Sequence, residues 1–430
     1  MSSSFVFSSW VPTTIPTSTV LSSINPTHSV GLISTLTSAT ADMATATKLA
    51  SLMHISQDIR GAQASLDIIM AQQVLATATV ASVQSQATQA IFNATLNLKA
   101  LEWDENAYGT DLSMAANVIF TVLFGIVFLV QTGLLTWSRF FYFGGCLFCG
   151  AGLEFAGYLT RSLAVNDTSD SDYFLCQIIT LTIAPAFIMA GIYYLLAKLI
   201  VVHGHGRTFS MLKPIWYSYI FVICDVLSLV IQAIGGGMAA VAVIDFEDTD
   251  SGTHVMVAGI AFQVVSMTLF LFFWFDFLHR IYFKVNPNVS FTFHNVIALV
   301  NNGKRADDIR AQCEPYFDQN HAHLRHGKFF KWFPHVVTGS VLFIYIRCIY
   351  RVVELAQGWT GYLITHEVYV MTLDAMMVFF TCALLSIIHP VLFLGRDENL
   401  KLRISKKDIE ADKSPDYEEG RSNEKENPFQ

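Results

Sequence analysis

Charged residues are scarce in this chain of 430 residues. Asp, Glu, Lys and Arg together make up only 14% of it, against about 25% in ordinary soluble domains, whereas 53% of the residues are hydrophobic. After residue 112 the hydrophobic residues gather in runs of about 20 or more, the length that crosses the hydrocarbon core of a bilayer. This distribution argues against a soluble multidomain enzyme and predicts a protein that crosses a membrane several times.

Several other features are missing, and each narrows the possible functions. There is no basic patch with interleaved aromatic residues, so we expect no nucleic-acid partner. No phosphate-binding Gly-x-x-x-x-Gly-Lys-Ser/Thr motif occurs, which excludes a P-loop ATPase. The last hydrophobic run contains no lysine, which excludes a retinal Schiff base. No metal, cofactor or catalytic residues are predicted, and we expect no enzyme.

The N-terminal region divides into two segments. Residues 1–47 are rich in Ser and Thr, contain no Lys or Arg and predict a disordered extracellular stalk without a cleavable signal peptide. Residues 48–112 predict an amphipathic, extracellular helical segment, because apolar residues recur at alternating spacings of three and four between 48 and 100. That seam predicts either self-association between chains or a helical hairpin within one chain.

The remaining chain predicts an all-α bundle of seven transmembrane helices within 113–394. The predicted spans are about 113–135, 140–162, 174–200, 215–241, 254–278, 335–356 and 367–394. The loops 163–173, 242–253 and 357–366 contain no Lys or Arg, whereas basic residues are concentrated in the loop 279–334. Because basic loops stay in the cytosol, the N-terminus is predicted outside and the C-terminus inside.

This orientation assigns sides to three further motifs. Asn93 and Asn166 begin extracytoplasmic sequons and are predicted glycosylation sites. The charged tail 395–430 is predicted to be a disordered cytosolic segment. It ends in Asn427-Pro428-Phe429, a tripeptide that endocytic adaptor domains recognise, so an adaptor is a candidate partner.

Polar residues within the spans are the candidate functional residues, since an ionisable group in a membrane is costly unless it is paired or hydrated. The candidates for substrate binding are Glu154, Asp225, Gln232, Gln263, Glu354, Glu367 and Asp374. Arg161, Arg347 and Arg351 are candidates for structural or gating ion pairs. Most of them fall in the outer half of the bilayer, which predicts a hydrated cavity open to the outside. The alternative is a set of ion pairs that hold the bundle, with Arg351–Glu354 or Arg161–Glu154 as local pairs.

Sequence stretches on five of the spans resemble a known family. They are EFAGYLTR (154–161), APAFIMAGIYYLLAKLI (184–200), DVLSLVIQAIGGG (225–237) and RCIYRVVELAQGWTGYLITHEVYVMTLD (347–374), followed by His389-Pro390. They are similar to the fungal lipid-translocating exporters, a seven-helix family that includes the aminocholesterol-resistance and sphingoid long-chain-base-resistance proteins of yeasts.

The resemblance implies a multi-pass plasma-membrane protein that moves sphingoid bases outward and confers tolerance to amphiphilic stress. Its partners would be membrane lipids and sphingoid bases. The polar residues fit this substrate, because carboxylates such as Glu154, Glu367 and Asp374 can pair with its ammonium, and the amides of Gln232 and Gln263 with its hydroxyls. The alternative, from another functional class, is a seven-helix lipid-stress sensor that signals through the cytosolic loop and tail.

Overall fold

The computed structural model describes residues 20–394, apart from 105, 107, 139, 167, 169, 205–209, 212, 245–247, 287–288, 328 and 359–360. All regular structure in these described ranges is helical, as predicted. The first part of the predicted stalk and the whole tail 395–430, with its Asn427-Pro428-Phe429 motif, lie outside the described residues.

The longer helices follow one another with short connections. In chain order they are α1 (Ser29–Met43), α2 (Leu49–Thr77), α3 (Ala81–Asp104), α4 (Met114–Ser138), α5 (Phe141–Ala164), α6 (Ser171–His203), α7 (Pro214–Ile244), α8 (Asp250–His279), α9 (Phe293–Asn301), α10 (Lys304–Cys313), α11 (Phe333–Ala356) and α12 (Glu367–Ile387). Shorter turns are Pro26–His28, Arg280–Lys284, Glu314–Tyr316, Gln319–His321, Ala322–Arg325, Phe330–Trp332, Tyr362–Thr365 and Val391–Leu394. Within α12, Val370–Ala375 form a π-helix.

Six of these helices are long and apolar enough to cross a membrane: α4, α6, α7, α8, α11 and α12. The chain is therefore a multi-pass membrane protein. The predicted second span is also a helix, α5, with 24 residues. It is not among the six, and its Glu154, Arg161 and several glycines lower its hydropathy. The predicted end of the last span at 394 is too late, since α12 ends at Ile387, just before His389 and Pro390.

The six apolar helices and α5 together form a closed ring. Each of α4 to α8 packs beside the next, α8 packs beside α11, α11 beside α12, and α12 returns to α4. Their shared core is apolar and aromatic, with Phe124, Leu147, Trp274 and Ile344 entirely buried. The ring of Phe124 stacks on that of Tyr158, with 5.3 Å between centroids. Because the polar residues of the bundle point into this core, packing decides which of them meet.

The N-terminal helices pack against one another, α1 on α2 and α2 on α3. Residues 49–104 thus form a helical hairpin, the second alternative drawn from the sequence. The structure differs from the disorder predicted across 1–47, because 29–43 form α1. Its Leu32, Leu36 and Ala39 recur at helical spacing and face away from solvent. A stretch with few apolar residues can therefore be ordered when a neighbouring helix covers them.

Candidate functional site

The predicted site residues lie together inside the bundle, which defines a buried polar layer. Glu154, Asp225, Gln232, Gln263, Glu354 and Asp374 are buried, and so are Arg161 and Arg347. Arg351 and Glu367 are half-buried. They come from α5, α7, α8, α11 and α12, and most of them point into the interior of the bundle. What the sequence left open is which side chains pair.

An ion pair between Arg347 on α11 and Asp374 on α12 occupies the middle of the polar layer. The same guanidinium also donates from Nη2 to the backbone oxygen of Leu181 on α6, at 2.6 Å. That oxygen is free because residue 185, four positions later, is a proline and has no N–H to donate to it. Pro185 thus creates an acceptor inside the bundle, and Arg347 joins α6, α11 and α12 through it.

Close packing of α5 on α6 brings Glu154 to the same place. A Cβ atom at Gly157 would lie 2.5 Å from Cδ2 of Leu181, so a larger residue there would force the Leu181 side chain to move. Glu154 is 1% exposed. Its Oε1 has no hydrogen-bond partner and its carboxyl group no ion pair among the described residues. It lies within electrostatic range of Arg347, Arg351 and Asp374.

Arg351 and Glu354 form the local pair predicted on α11, with 2.8 Å between Nη1 and Oε2. The hydroxyl of Tyr350 donates to the other carboxylate oxygen of Glu354 at 3.1 Å. The second local pair considered, Arg161–Glu154, is not formed. Arg161 instead contacts Glu367 of α12, with 3.4 Å between Nη2 and Oε1.

Glu367 is the centre of a second polar cluster, which we call the end cluster. Its Oε2 accepts from the backbone N–H of Ser113 at 2.7 Å, and its Oε1 from the side-chain amide of Asn117 at 2.7 Å. The guanidinium of Arg161 lies over the ring of Tyr108, 5.5 Å from its centroid. Burial raises the pKa of Tyr108 to about 12, partly opposed by Arg161. The end cluster therefore connects the segment before α4 to α5 and α12.

The two amides predicted for substrate binding do meet. Nε2 of Gln232 donates to Oε1 of Gln263 at 3.3 Å, across α7 and α8. They border a cleft completed by Thr182, Ile260, Arg347, Cys348 and Arg351. The cleft measures about 10 Å³, enough for about one water molecule. This cleft does not admit a lipid headgroup, and the hydrated cavity inferred from the sequence stays a prediction.

Asp225 lies deeper along α7 and has a different environment. The hydroxyl of Tyr193 donates to its Oδ2 at 2.9 Å, whereas its Oδ1 has no hydrogen-bond partner among the described residues. Tyr193, Asn117 and Tyr108 were not predicted as site residues. An asparagine inside an apolar span is a signal that could have identified Asn117, whereas for the two tyrosines the sequence offers no comparable signal.

The two predicted glycosylation sites are exposed. Asn93 lies on the outer face of α3, and Asn166 follows the end of α5. Thr95, the third residue of the first sequon, is buried and accepts from the backbone N–H of Ser22 at 3.0 Å. The sequon would therefore have to be modified before α3 and its neighbours fold.

A ring of membrane helices around a buried ionic layer defines a polytopic membrane protein with an internal polar site. The chain belongs to the RTA1-like protein family, whose model matches residues 147–397. It is 40% identical to the sphingoid long-chain base transporter RSB1 of Saccharomyces cerevisiae strain S288c over 289 residues, which cover 66% of this chain and 74% of the relative.

Two more distant relatives have other names. Protoporphyrin uptake protein 1 of Saccharomyces cerevisiae is 27% identical over 54% of this chain and 62% of its own length. Protein RTM1 of Saccharomyces cerevisiae is 26% identical over 53% of this chain and 61% of its own length. No solved structure matches the chain. The resemblance inferred from the sequence motifs is confirmed by the family match.

Proposed function

We propose that this protein moves sphingoid long-chain bases across the plasma membrane and so gives tolerance to them. The main support for this proposal is the 40% identity to a sphingoid long-chain base transporter. The family match at residues 147–397 includes the whole buried polar layer, from Glu154 to Asp374. The transport and uptake named for two of the relatives give no support to a lipid-stress sensor. We assign the chain no catalytic step.

The chemistry of the layer suits such a substrate. A sphingoid base has one apolar chain and a headgroup with an ammonium and hydroxyls. An ammonium has three donors and no acceptor, so it needs carboxylates such as Glu154, Glu354, Glu367 and Asp374. The amides of Gln232 and Gln263 can accept from and donate to its hydroxyls.

Binding requires the layer to open, since a cleft of about 10 Å³ does not admit a lipid headgroup. The contacts that must separate are those of Arg347 with Asp374 and with the Leu181 carbonyl. Asp374 lies in the π-helix Val370–Ala375, and π-helical turns commonly occur at functional sites. A shift from π to α geometry here would rotate Asp374 away from Arg347, and we propose this movement as the opening step.

The proposal treats α5 as a seventh span. Its 24 residues extend about 36 Å at 1.5 Å per residue, enough to cross the bilayer core. It packs between α4 and α6, and Glu154 and Arg161 on it are buried inside the protein rather than facing lipid. With seven spans and the basic loop 279–334 in the cytosol, the N-terminus is outside and the tail inside.

The test is movement of a fluorescent long-chain base across vesicles that contain only the purified protein. We expect the protein to accelerate movement of the base between leaflets. The variant Asp374→Asn should slow that movement at least about tenfold, which corresponds to about 1.4 kcal/mol. The matched control is Asp276→Asn, which neutralises a carboxylate away from the layer; Asp276 pairs with Arg280, with 2.7 Å between Oδ2 and Nε. This variant should move the lipid at the wild-type rate. Wild-type vesicles no faster than protein-free vesicles would refute the function.

A further inference from the structure

The buried polar layer, together with the deeper Asp225, contains more acids than bases. Its acidic and basic side chains among the described residues are Glu154, Asp225, Glu354, Asp374, Arg347 and Arg351. Glu354 and Asp374 each have a guanidinium partner. With four acids and two bases, two carboxyl groups are left without a cation, Glu154 and Asp225.

Glu154 is surrounded on all sides by the bundle. Of the helices packed around it, α11 contributes Arg347 and Arg351, and α12 contributes Asp374 and the thiol of Cys382. Its own helix contributes Tyr158. α4 has no ionisable residue along its whole length, and α6 contributes the Leu181 carbonyl, which Arg347 already occupies.

A carboxylate without a cation or sufficient donors is strongly disfavoured inside a protein, and a group in this position neutralises instead. Glu154 has an oxygen with no donor, and Arg347, the nearest cation on α11, is already paired with Asp374. In the closed conformation, Glu154 is therefore a neutral carboxylic acid. The layer then holds one proton at the place where a cationic headgroup would enter.

We propose that Glu154 is the site where this protein exchanges a proton for the ammonium of its lipid, which rests on the proposed function above. When the ammonium enters, the Glu154 O–H bond breaks, the proton leaves to water and the carboxylate pairs with the ammonium. When a proton returns, the O–H bond forms again and the lipid leaves. One positive charge replaces another in each direction, so the layer keeps its net charge and a proton gradient drives the lipid the opposite way.

Asp225 is the competing candidate, and its surroundings differ in two ways. Tyr193 donates to one of its oxygens, which holds that side chain in place. It lies on α7, whereas Glu154 faces the Arg347–Asp374 pair beside the π-helix. A headgroup that separates that pair reaches Glu154 directly. The geometry thus favours Glu154, and the experiment includes Asp225 as an outcome.

The experiment counts protons. A long-chain base with a trimethylammonium headgroup cannot itself gain or lose a proton, so any proton released on its binding comes from the protein. Purified full-length protein in weakly buffered detergent should release about one proton for each bound analogue, as proton linkage requires. Glu154→Asp should still release it, Glu154→Gln should bind without release, and the control Asp276→Asn should behave as wild type.

The outcomes separate this inference from the proposed function. If the wild-type protein moves the fluorescent base in vesicles but releases no proton, the inference is overturned and the function stands. If release persists in Glu154→Gln, or is lost in Asp225→Asn but not in Glu154→Gln, the inference is wrong. If the protein moves no lipid, both fail. Because the wild-type count needs no variant, a count of zero decides the matter even if Glu154→Gln does not fold.

Discussion

The buried charge of Arg347 is balanced by Asp374. We expect Glu154 to take over when that carboxylate is lost, and a double-mutant cycle on Asp374 and Glu154 measures this. Asp374 is the ion-pair partner, and Glu154 lies within range of the same guanidinium. In Asp374→Asn, Glu154 can lose its proton and replace the missing charge, so we expect a loss of about 1–2 kcal/mol. Glu154→Gln alone removes a neutral acid and should cost about 1 kcal/mol.

Both substitutions together leave the guanidinium with the Leu181 carbonyl and no carboxylate of its own. A buried pair that loses one partner costs about 3–5 kcal/mol, because the remaining charge is uncompensated. The double variant should therefore lose about 1–2 kcal/mol more than the sum of the two single losses. The free energy of unfolding is measured in detergent micelles by tryptophan fluorescence, with the buried Trp274 as one reporter.

The matched control is Asp307→Asn, which removes a carboxylate from an ion pair with Arg310 at 2.9 Å on α10. There the Asp307 side chain is 56% exposed. An exposed pair contributes at most about 1 kcal/mol, and its loss should add simply to that of Asp374→Asn. The reasoning is refuted if Glu154→Gln and Asp374→Asn are additive within about 0.5 kcal/mol, the usual limit for independent sites.

Three further outcomes are expected. Asn93→Gln should lower the apparent mass on a gel by one glycan, and unchanged mobility in cells that glycosylate Asn166 would mean that Asn93 carries no glycan. A variant with Cys313 as its only cysteine should resist maleimide at neutral pH and react faster as the pH rises. Burial raises the pKa of this thiol to about 11, and maleimide reacts with the thiolate rather than the thiol. Glu367→Gln should lower the free energy of unfolding by at least about 2 kcal/mol, because it weakens hydrogen bonds to a charged acceptor and removes the ion-pair partner of Arg161. A smaller loss would mean that the end cluster does not stabilise the fold.

The helices of the bundle were predictable because the bilayer sets their length and excludes polar residues from most positions. The predicted start of the last span, residue 367, is where α12 begins. Its end was placed too late because Val391–Leu394 is also apolar, and only the three non-helical residues 388–390 separate it from the helix. Helix α5 has low hydropathy because it contains Glu154 and Arg161, and both of these side chains face the interior of the bundle.

The pairs within the site were predictable only where they are local. Arg351 and Glu354 lie three residues apart on one helix, so their contact follows from helical geometry. Arg161 and Glu154 share a face too, but Arg161 lies about two turns nearer the helix end, where Glu367 of another helix contacts it. Which helices adjoin, and how each is rotated, is set by packing, and a single sequence does not contain that information directly.

Pro185 has a consequence beyond its own helix. Its missing N–H leaves the Leu181 oxygen to a guanidinium on α11, so two positions far apart in the chain depend on one another. Among relatives we expect substitutions at positions 185 and 347 to occur together. Where residue 185 is not proline, its backbone N–H bonds the residue-181 oxygen within helix α6, and residue 347 need not donate to that oxygen. Pro185→Ala would change the partners of Arg347 without replacing any ionisable residue of the layer.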